Sequence, residues 1–218
     1  MSGLAPDRPA ARLSRAALAD FDAVIQGRRS VRAFRPDAVP GDLIRAAIRA
    51  AGWAPSPHGR QPWRFAVVET LARRVALADA MAATWDHQLR LDGQDDATVR
   101  HRLERSRERL VTAPVLVVPC LFLADLDVYP DAARQEAETV MAIQSLGAAI
   151  QNLLLAIYAA GLDAGWMCAP LFCPDVVREA LGLDPALIPH ALIPVGFAAQ
   201  DPPRRERLPP EDLVVAWL

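Results

Sequence analysis

The chain has 218 residues, 52% of them hydrophobic, and a formal net charge of -2. This length suits one buried core, and the near-neutral balance gives no bulk attraction to nucleic acid or to an anionic membrane. We therefore predict a single domain over residues 15–218 behind a flexible leader, residues 1–14, with no nucleic-acid partner.

Cysteine spacing and hydropathy further restrict the possible classes of protein. The three cysteines are an odd number and lack the close pairing of a zinc site, so we predict a cytoplasmic protein without a disulfide framework. We expect Cys168 and Cys173 to be packed residues, because no base lies beside either. The histidines show no metal-ligand spacing, and we assign no metal. The longest apolar run, residues 153–162, is too short to cross a bilayer, so we expect no membrane partner.

Helical periodicity dominates the first part of the domain. Apolar side chains at helical spacing predict a helix over residues 16–26, which Gly27 can end in a left-handed conformation. A second helix is predicted over residues 42–52, where Asp42 can cap the first free amides. Both helices adjoin stretches rich in polar side chains.

The middle of the chain alternates strands with helices. We predict a strand over residues 64–69, a helix over 71–89, a charged helix reaching about residue 110 and a buried strand over 114–123. The charged helix carries four arginines that could contact an anionic substrate, but the interleaved glutamates favour a solvated face. Those arginines are Arg100, Arg102, Arg105 and Arg107.

The last part of the chain begins with an unusually apolar helix over residues 136–160, ended by Gly161. A helix of this kind is central or lies at an oligomer interface. A short helix over 176–181 and a strand over 190–197 follow, and the alternation indicates α+β or α/β layering. We expect the proline-rich arm that ends the chain to reach across a partner subunit.

Two stretches have the chemistry of a site for a phosphorylated ring. Guanidinium and hydroxyl groups bind phosphate, and they cluster at residues 28–32 and 204–207. The turn APSPHG, residues 54–59, offers rigid polar contacts to something planar. Together they predict a phosphorylated ring cofactor.

Four blocks in order resemble the nitroreductase family: RRSVRAF, APSPHGRQPWRF, GAAIQNLLLAIYAAGLDAGW and RLPPEDLVVAW. The resemblance implies an α+β fold with a central, mostly antiparallel sheet surrounded by helices. It also implies a domain-crossing homodimer with FMN at each of two interfacial sites. NADH or NADPH would be the electron donor in a ping-pong two-electron reduction.

The resemblance also assigns residues to the FMN site. Arg28, with Arg205 or Arg207, would bind the phosphate, while Arg29 and Ser30 would bind the ribityl chain and nearby phosphate oxygens. Arg32 would lie at the pyrimidine edge, where a cation favours the reduced form. The partner's Pro55, Ser56 and Pro57 would cover the ring, and the loop at Met167, Cys168 and Ala169 would pass its reactive N5 edge.

The substrate candidates are His58, Gly59 and Trp166. His58 is either a turn histidine or a proton donor, and Gly59 stands where many relatives carry asparagine. YPDAARQEAE, GAAIQNLL and FCPDVVREALGLD show a closer resemblance to the flavin domain that follows the glutamate ligase of coenzyme F-420 biosynthesis. The acceptor would then be a dehydro precursor of that deazaflavin coenzyme rather than a nitro compound or quinone. A non-catalytic protein that stores or senses FMN is the third reading.

Overall fold

A computed structural model describes residues 15–218. The predicted leader lies outside the described residues. The helices are α1 (Arg15–Gly27), α2 (Gly41–Ala51), α3 (Leu71–Leu91), α4 (Asp96–Thr112), α5 (Ala132–Ala159), α6 (Pro174–Leu181) and α7 (Pro210–Leu213). The strands are β1 (Trp63–Val68), β2 (Val115–Phe122), β3 (Asp163–Ala164), β4 (Leu187–Pro189) and β5 (Ile193–Gly196). Short 3-10 turns occupy Pro57–Gly59 and Ala169–Phe172.

The five strands form one antiparallel sheet, in which β1, β2, β5 and β3 follow one another in that order and β4 also pairs with β2. Strand β2 is central, with β1 along one edge and β4 and β5 sharing the other. Helices lie on both sides of this sheet, so the α+β prediction with a mostly antiparallel sheet is confirmed.

Alternating side chains of β2 divide the core into two halves, because successive residues of a strand point to opposite faces. One half packs with α2 and α5 and includes Val115, Val117 and Leu121. The other packs with α3, α4 and α6 and includes Leu116, Val118 and Cys120. The eight residues of β2 are therefore almost completely buried, as its continuous apolar sequence predicts.

Helix α5 is long and apolar enough, by length and composition, to cross a membrane. Its buried residues pack against α2 and the sheet, which is the arrangement of a core helix. It begins at Ala132, before the predicted residue 136, because the Asp131 side chain caps it by accepting a hydrogen bond from the Arg134 amide. Gly161 follows its end with a φ of 79°, as predicted.

Two predicted helix ends are wrong in detail. Gly27 is the last residue of α1, but its φ is not positive. Its lack of a side chain matters instead for packing, since a Cβ there would collide with the hydroxyl of Tyr158 on α5. Helix α2 has Pro40 as its N-cap without a side-chain hydrogen bond, and Asp42 lies in its first turn.

Candidate active site

Backbone pairing holds the segment after α1 against the sheet. Ser30 pairs in parallel with Ala164 of β3, and the Val31 amide donates to the Ala164 carbonyl over 3.0 Å. Gly165 permits this approach, because a Cβ there would strike the Val31 carbonyl oxygen. Farther along, the Arg35 amide donates to the Phe197 carbonyl over 2.8 Å. The arginine-rich segment is therefore fixed between β3 and the end of β5.

A cavity of about 800 Å³, hereafter the larger cavity, opens beside this segment. It brings together the two arginine clusters from opposite ends of the domain. Six of the predicted FMN-binding residues line it: Arg28, Arg29, Ser30, Arg32, Arg205 and Arg207.

Some guanidinium N–H groups that line this cavity make no hydrogen bond within residues 15–218. The buried Nε atoms of Arg28 and Arg29 have no partner within the described part of the chain. Another nitrogen of Arg29 donates to the Gly27 carbonyl over 2.6 Å. Among residues 15–218, no carboxylate lies within 4.0 Å of any arginine that lines the larger cavity. Buried donors without an acceptor are costly, so this arrangement favours an anionic ligand.

Several lining residues were missed from the sequence. They are Ile25, Gln26, Gln151, Pro202 and Pro203. Arg204, which belongs to the predicted second arginine cluster, also lines the cavity and donates to the Gln26 carbonyl over 3.2 Å, which ties the arm to the end of α1. Gln151 was detectable in principle, because it interrupts the apolar face of α5.

A second cavity of about 490 Å³, hereafter the smaller cavity, adjoins the first at Ser30 and Arg32. Helix α4 contributes Arg105 and Arg109 to it. Burial, and then repulsion from Arg32 and Arg105, lowers the pKa of Arg109, while Glu108 opposes this shift. Arg105 is exposed, as the predicted solvated face requires, and it also lines this cavity. Arg107 is likewise exposed and pairs with Asp79 over 2.8 Å.

The proline turn is tightly constrained and lies outside the linings of both cavities. His58, Gly59 and Gln61 all have positive φ angles, of 53°, 66° and 50°. The Ser56 hydroxyl accepts a hydrogen bond from the Gln61 amide over 3.0 Å, so it stabilises the turn itself. Arg60 joins the turn to the loop after β2 by donating to the Asp125 carbonyl over 2.9 Å. Pro55 and Pro57 belong to the same turn. Two non-glycine residues in the left-handed region indicate strain of the kind found at functional sites.

The predicted N5 loop starts next to the arginine-rich segment but does not line either cavity. Met167 pairs with Leu192, and its amide donates to the Leu192 carbonyl over 3.0 Å. Trp166 is about one-third exposed, and Ala169 begins a 3-10 turn. Cys168 is exposed, so the expectation that it is packed is wrong.

Burial shifts the pKa values of two thiols and one imidazole. It raises the pKa of Cys120 to about 12, raises the pKa of Cys173 and lowers the pKa of His190. Within residues 15–218, no group of three or more His, Cys, Asp or Glu side chains is placed to hold a metal ion. The chemical groups that converge are thus the arginines of the two cavities.

The profile of the Nitroreductase family matches residues 25–197, which is most of the chain. The protein belongs to the Nitroreductase family. Members of this family are typically homodimers. The 5,6-dimethylbenzimidazole synthase of Rhodospirillum rubrum is 31% identical over 203 residues, which cover 90% of this chain and 88% of that protein.

Solved structures show the same family fold. A BluB-like flavoprotein from Clostridium difficile superposes with a TM-score of 0.73 at 23% identity, over 91% of this chain and 99% of that one. The FMN-dependent nitroreductase NfnB from Mycobacterium smegmatis, in complex with NADPH, gives a TM-score of 0.64 at 26% identity. That match covers 84% of this chain and 89% of that one.

Proposed function

We propose that this nitroreductase-family protein is an FMN-dependent oxidoreductase that transfers two electrons from NADH or NADPH to a small-molecule acceptor. The single observation that carries the proposal is the larger cavity, where six residues assigned to FMN converge from both ends of the domain. The similarity to NfnB, an FMN-dependent nitroreductase solved in complex with NADPH, supports it.

The larger cavity fits a phosphate dianion. Guanidinium groups pair bidentately with phosphate oxygens, and the buried Nε atoms of Arg28 and Arg29 still need acceptors. Arg205 and Arg207 on the arm are exposed and would close the opposite wall. The Ser30 hydroxyl in the lining adds a further donor. These residues would bind and orient the cofactor through its phosphate and ribityl chain.

Arg32 would act at the other end of the cofactor. It lines both cavities and lies four residues after Arg28, which is assigned to the phosphate. A cation at the pyrimidine edge stabilises the negative charge of the reduced ring, so Arg32 would set the reduction potential. When bound, FMN supplies the hydride chemistry, and no side-chain nucleophile is needed.

We propose an obligate homodimer in which each subunit completes the site of the other. Large apolar side chains are exposed on the arm, with Val215 fully exposed and Trp217 at 92%, and such a surface normally lies against another. Two residues of the proline turn, His58 and Gln61, have strained backbone angles of the kind found at functional sites, which supports a role for the turn above the partner's ring. The exposed free thiol of Cys168 supports a reducing cytoplasm as the compartment.

The chemical class of the acceptor depends on which relatives the protein resembles in function. A quinone or nitro compound suits a general reductase, whereas the sequence blocks that resemble the F-420 ligase domain would favour a deazaflavin precursor. A second candidate function is synthesis of 5,6-dimethylbenzimidazole, because the relative with that name matches almost the whole chain. An FMN-storing protein is the non-catalytic alternative.

Steady-state kinetics with varied donor and acceptor would test the proposal. Parallel double-reciprocal lines with NADH or NADPH and a quinone are expected for a ping-pong reductase. Mass spectrometry of the same reactions would detect 5,6-dimethylbenzimidazole if the second candidate is correct. FMN-loaded protein that turns over no acceptor with either donor would contradict the reductase and favour storage.

A further inference from the structure

The smaller cavity is a basic pocket in which Ser30 and Arg32 are the only residues of the described chain already assigned to FMN. Its arginines come from two different elements, Arg32 from the segment after α1 and Arg105 and Arg109 from α4. Residues four apart lie on the same side of a helix, so Arg105 and Arg109 face the cavity as a pair. Gln200 and Thr112 add polar groups to the lining.

The charge of this lining is incompletely balanced. Glu108 and Asp201 also line the cavity, against three arginines. Neither carboxylate comes within 4.0 Å of a guanidinium nitrogen of Arg32, Arg105 or Arg109. The Thr112 hydroxyl donates to the Glu108 carbonyl over 2.7 Å, so the arginines, Gln200 and the Ser30 hydroxyl are the side-chain donors of this lining that a ligand can use. One net positive charge and several open donors suit an anionic group.

The location of the cavity indicates what carries that group. It shares Ser30, Arg32, Pro202 and Pro203 with the larger cavity, so the two form one continuous basic surface. A volume of about 490 Å³ suits part of a ligand rather than a whole dinucleotide. A molecule that reaches the flavin ring would therefore place only its charged end here.

We propose that the smaller cavity binds the anionic group of a substrate that exchanges electrons with the flavin. This inference rests on the proposed function. The 2′-phosphate of NADPH and an acidic group on the acceptor share the required chemistry. Arg105 and Arg109 would then be specificity residues, whereas Arg32 would serve both cavities.

The test compares the FMN-loaded wild type with an Arg105→Gln/Arg109→Gln double variant. Arg100→Gln is the matched control, because Arg100 is exposed on the opposite side of α4 and lines neither cavity. Two matched substrate pairs distinguish the sources: NADPH against NADH, and 1,4-naphthoquinone-2-sulfonate against 1,4-naphthoquinone. The readout is the ratio of kcat/KM for the charged member to that for its less charged counterpart.

We expect the double variant to lower one of these ratios at least about tenfold, the effect of losing one charge-assisted hydrogen bond. A fall in the NADPH to NADH ratio would identify the donor as the source, and a fall in the quinone ratio would identify the acceptor. Unchanged ratios in both pairs would overturn the proposal. So would loss of FMN from the double variant, because the cavity would then belong to the cofactor site.

Calorimetry with inorganic pyrophosphate separates this inference from the proposed function. The FMN-loaded wild type and Arg100→Gln should bind pyrophosphate, and the double variant should bind it at least about tenfold more weakly. This result without any turnover would contradict the reductase while supporting an anion site. Equal pyrophosphate affinity in all three proteins would contradict the anion site, whatever the turnover.

Discussion

Replacing Arg28 by methionine should weaken FMN binding while sparing the apo protein. Methionine keeps most of the apolar stem and removes the guanidinium group, whose Nε is buried without a partner. A hydrogen bond to a charged group contributes about 1.5–3 kcal/mol, which corresponds to an increase in Kd of about 10- to 150-fold. The loss should be greater than for Arg205→Met, because Arg205 is exposed and its interactions are screened by water.

Fluorescence titration of the apo protein with FMN would measure these Kd values. Urea unfolding of the same apo proteins should show that Arg28→Met leaves the free energy of unfolding unchanged or raises it, because the lost group makes no satisfied Nε hydrogen bond. Arg35→Met is the control, since Arg35 belongs to the same segment but pairs with Asp37. An unchanged Kd for Arg28→Met, or equal losses for Arg28→Met and Arg35→Met, would refute the placement of the phosphate.

Three further predictions concern assembly, specificity and packing. Deleting residues 214–218, which include the exposed Val215 and Trp217, should give a monomer that loses FMN; a dimer that retains FMN in light scattering and absorbance would contradict this. Gly59→Asn should leave the thermal midpoint nearly unchanged, because asparagine tolerates a φ of 66° and its Cβ meets nothing within 4 Å. It should nevertheless lower turnover of a deazaflavin several-fold relative to a small quinone, and equal losses for both acceptors would argue against a specificity role. Gly27→Ala should lower the free energy of unfolding by about 1–3 kcal/mol in urea, with partial recovery in Gly27→Ala/Tyr158→Phe, and no recovery would exclude the hydroxyl as the obstacle.

The long elements of this fold were predictable because they carry strong periodic patterns. Strand β2 reads as a continuous apolar run, and α5 carries an extended apolar sequence that only a central position explains. Strands β3 and β4 were missed, since two and three residues are too few for a period to emerge. Their existence depends on partners in β5 and β2 that lie far away along the chain.

The candidate site also contains residues that the sequence predicts and residues that it does not. The arginines at residues 28–32 are adjacent in sequence, so their clustering required no tertiary information. Arg109 was missed as a lining residue, and Arg105 was assigned to a solvated face rather than to an anion site, because interleaved glutamates gave α4 the pattern of a solvated helix. Helical periodicity assigns these arginines to one side of α4, but only the packing of α4 near Arg32 determines what that side faces.

Anaerobic titration of the protein, purified without added cofactor, would test the central claim most directly. The account predicts a visible flavin spectrum that one equivalent of NADPH or NADH per flavin bleaches and that a quinone restores. Protein that neither carries nor takes up FMN, or bound FMN that neither donor reduces, would contradict it.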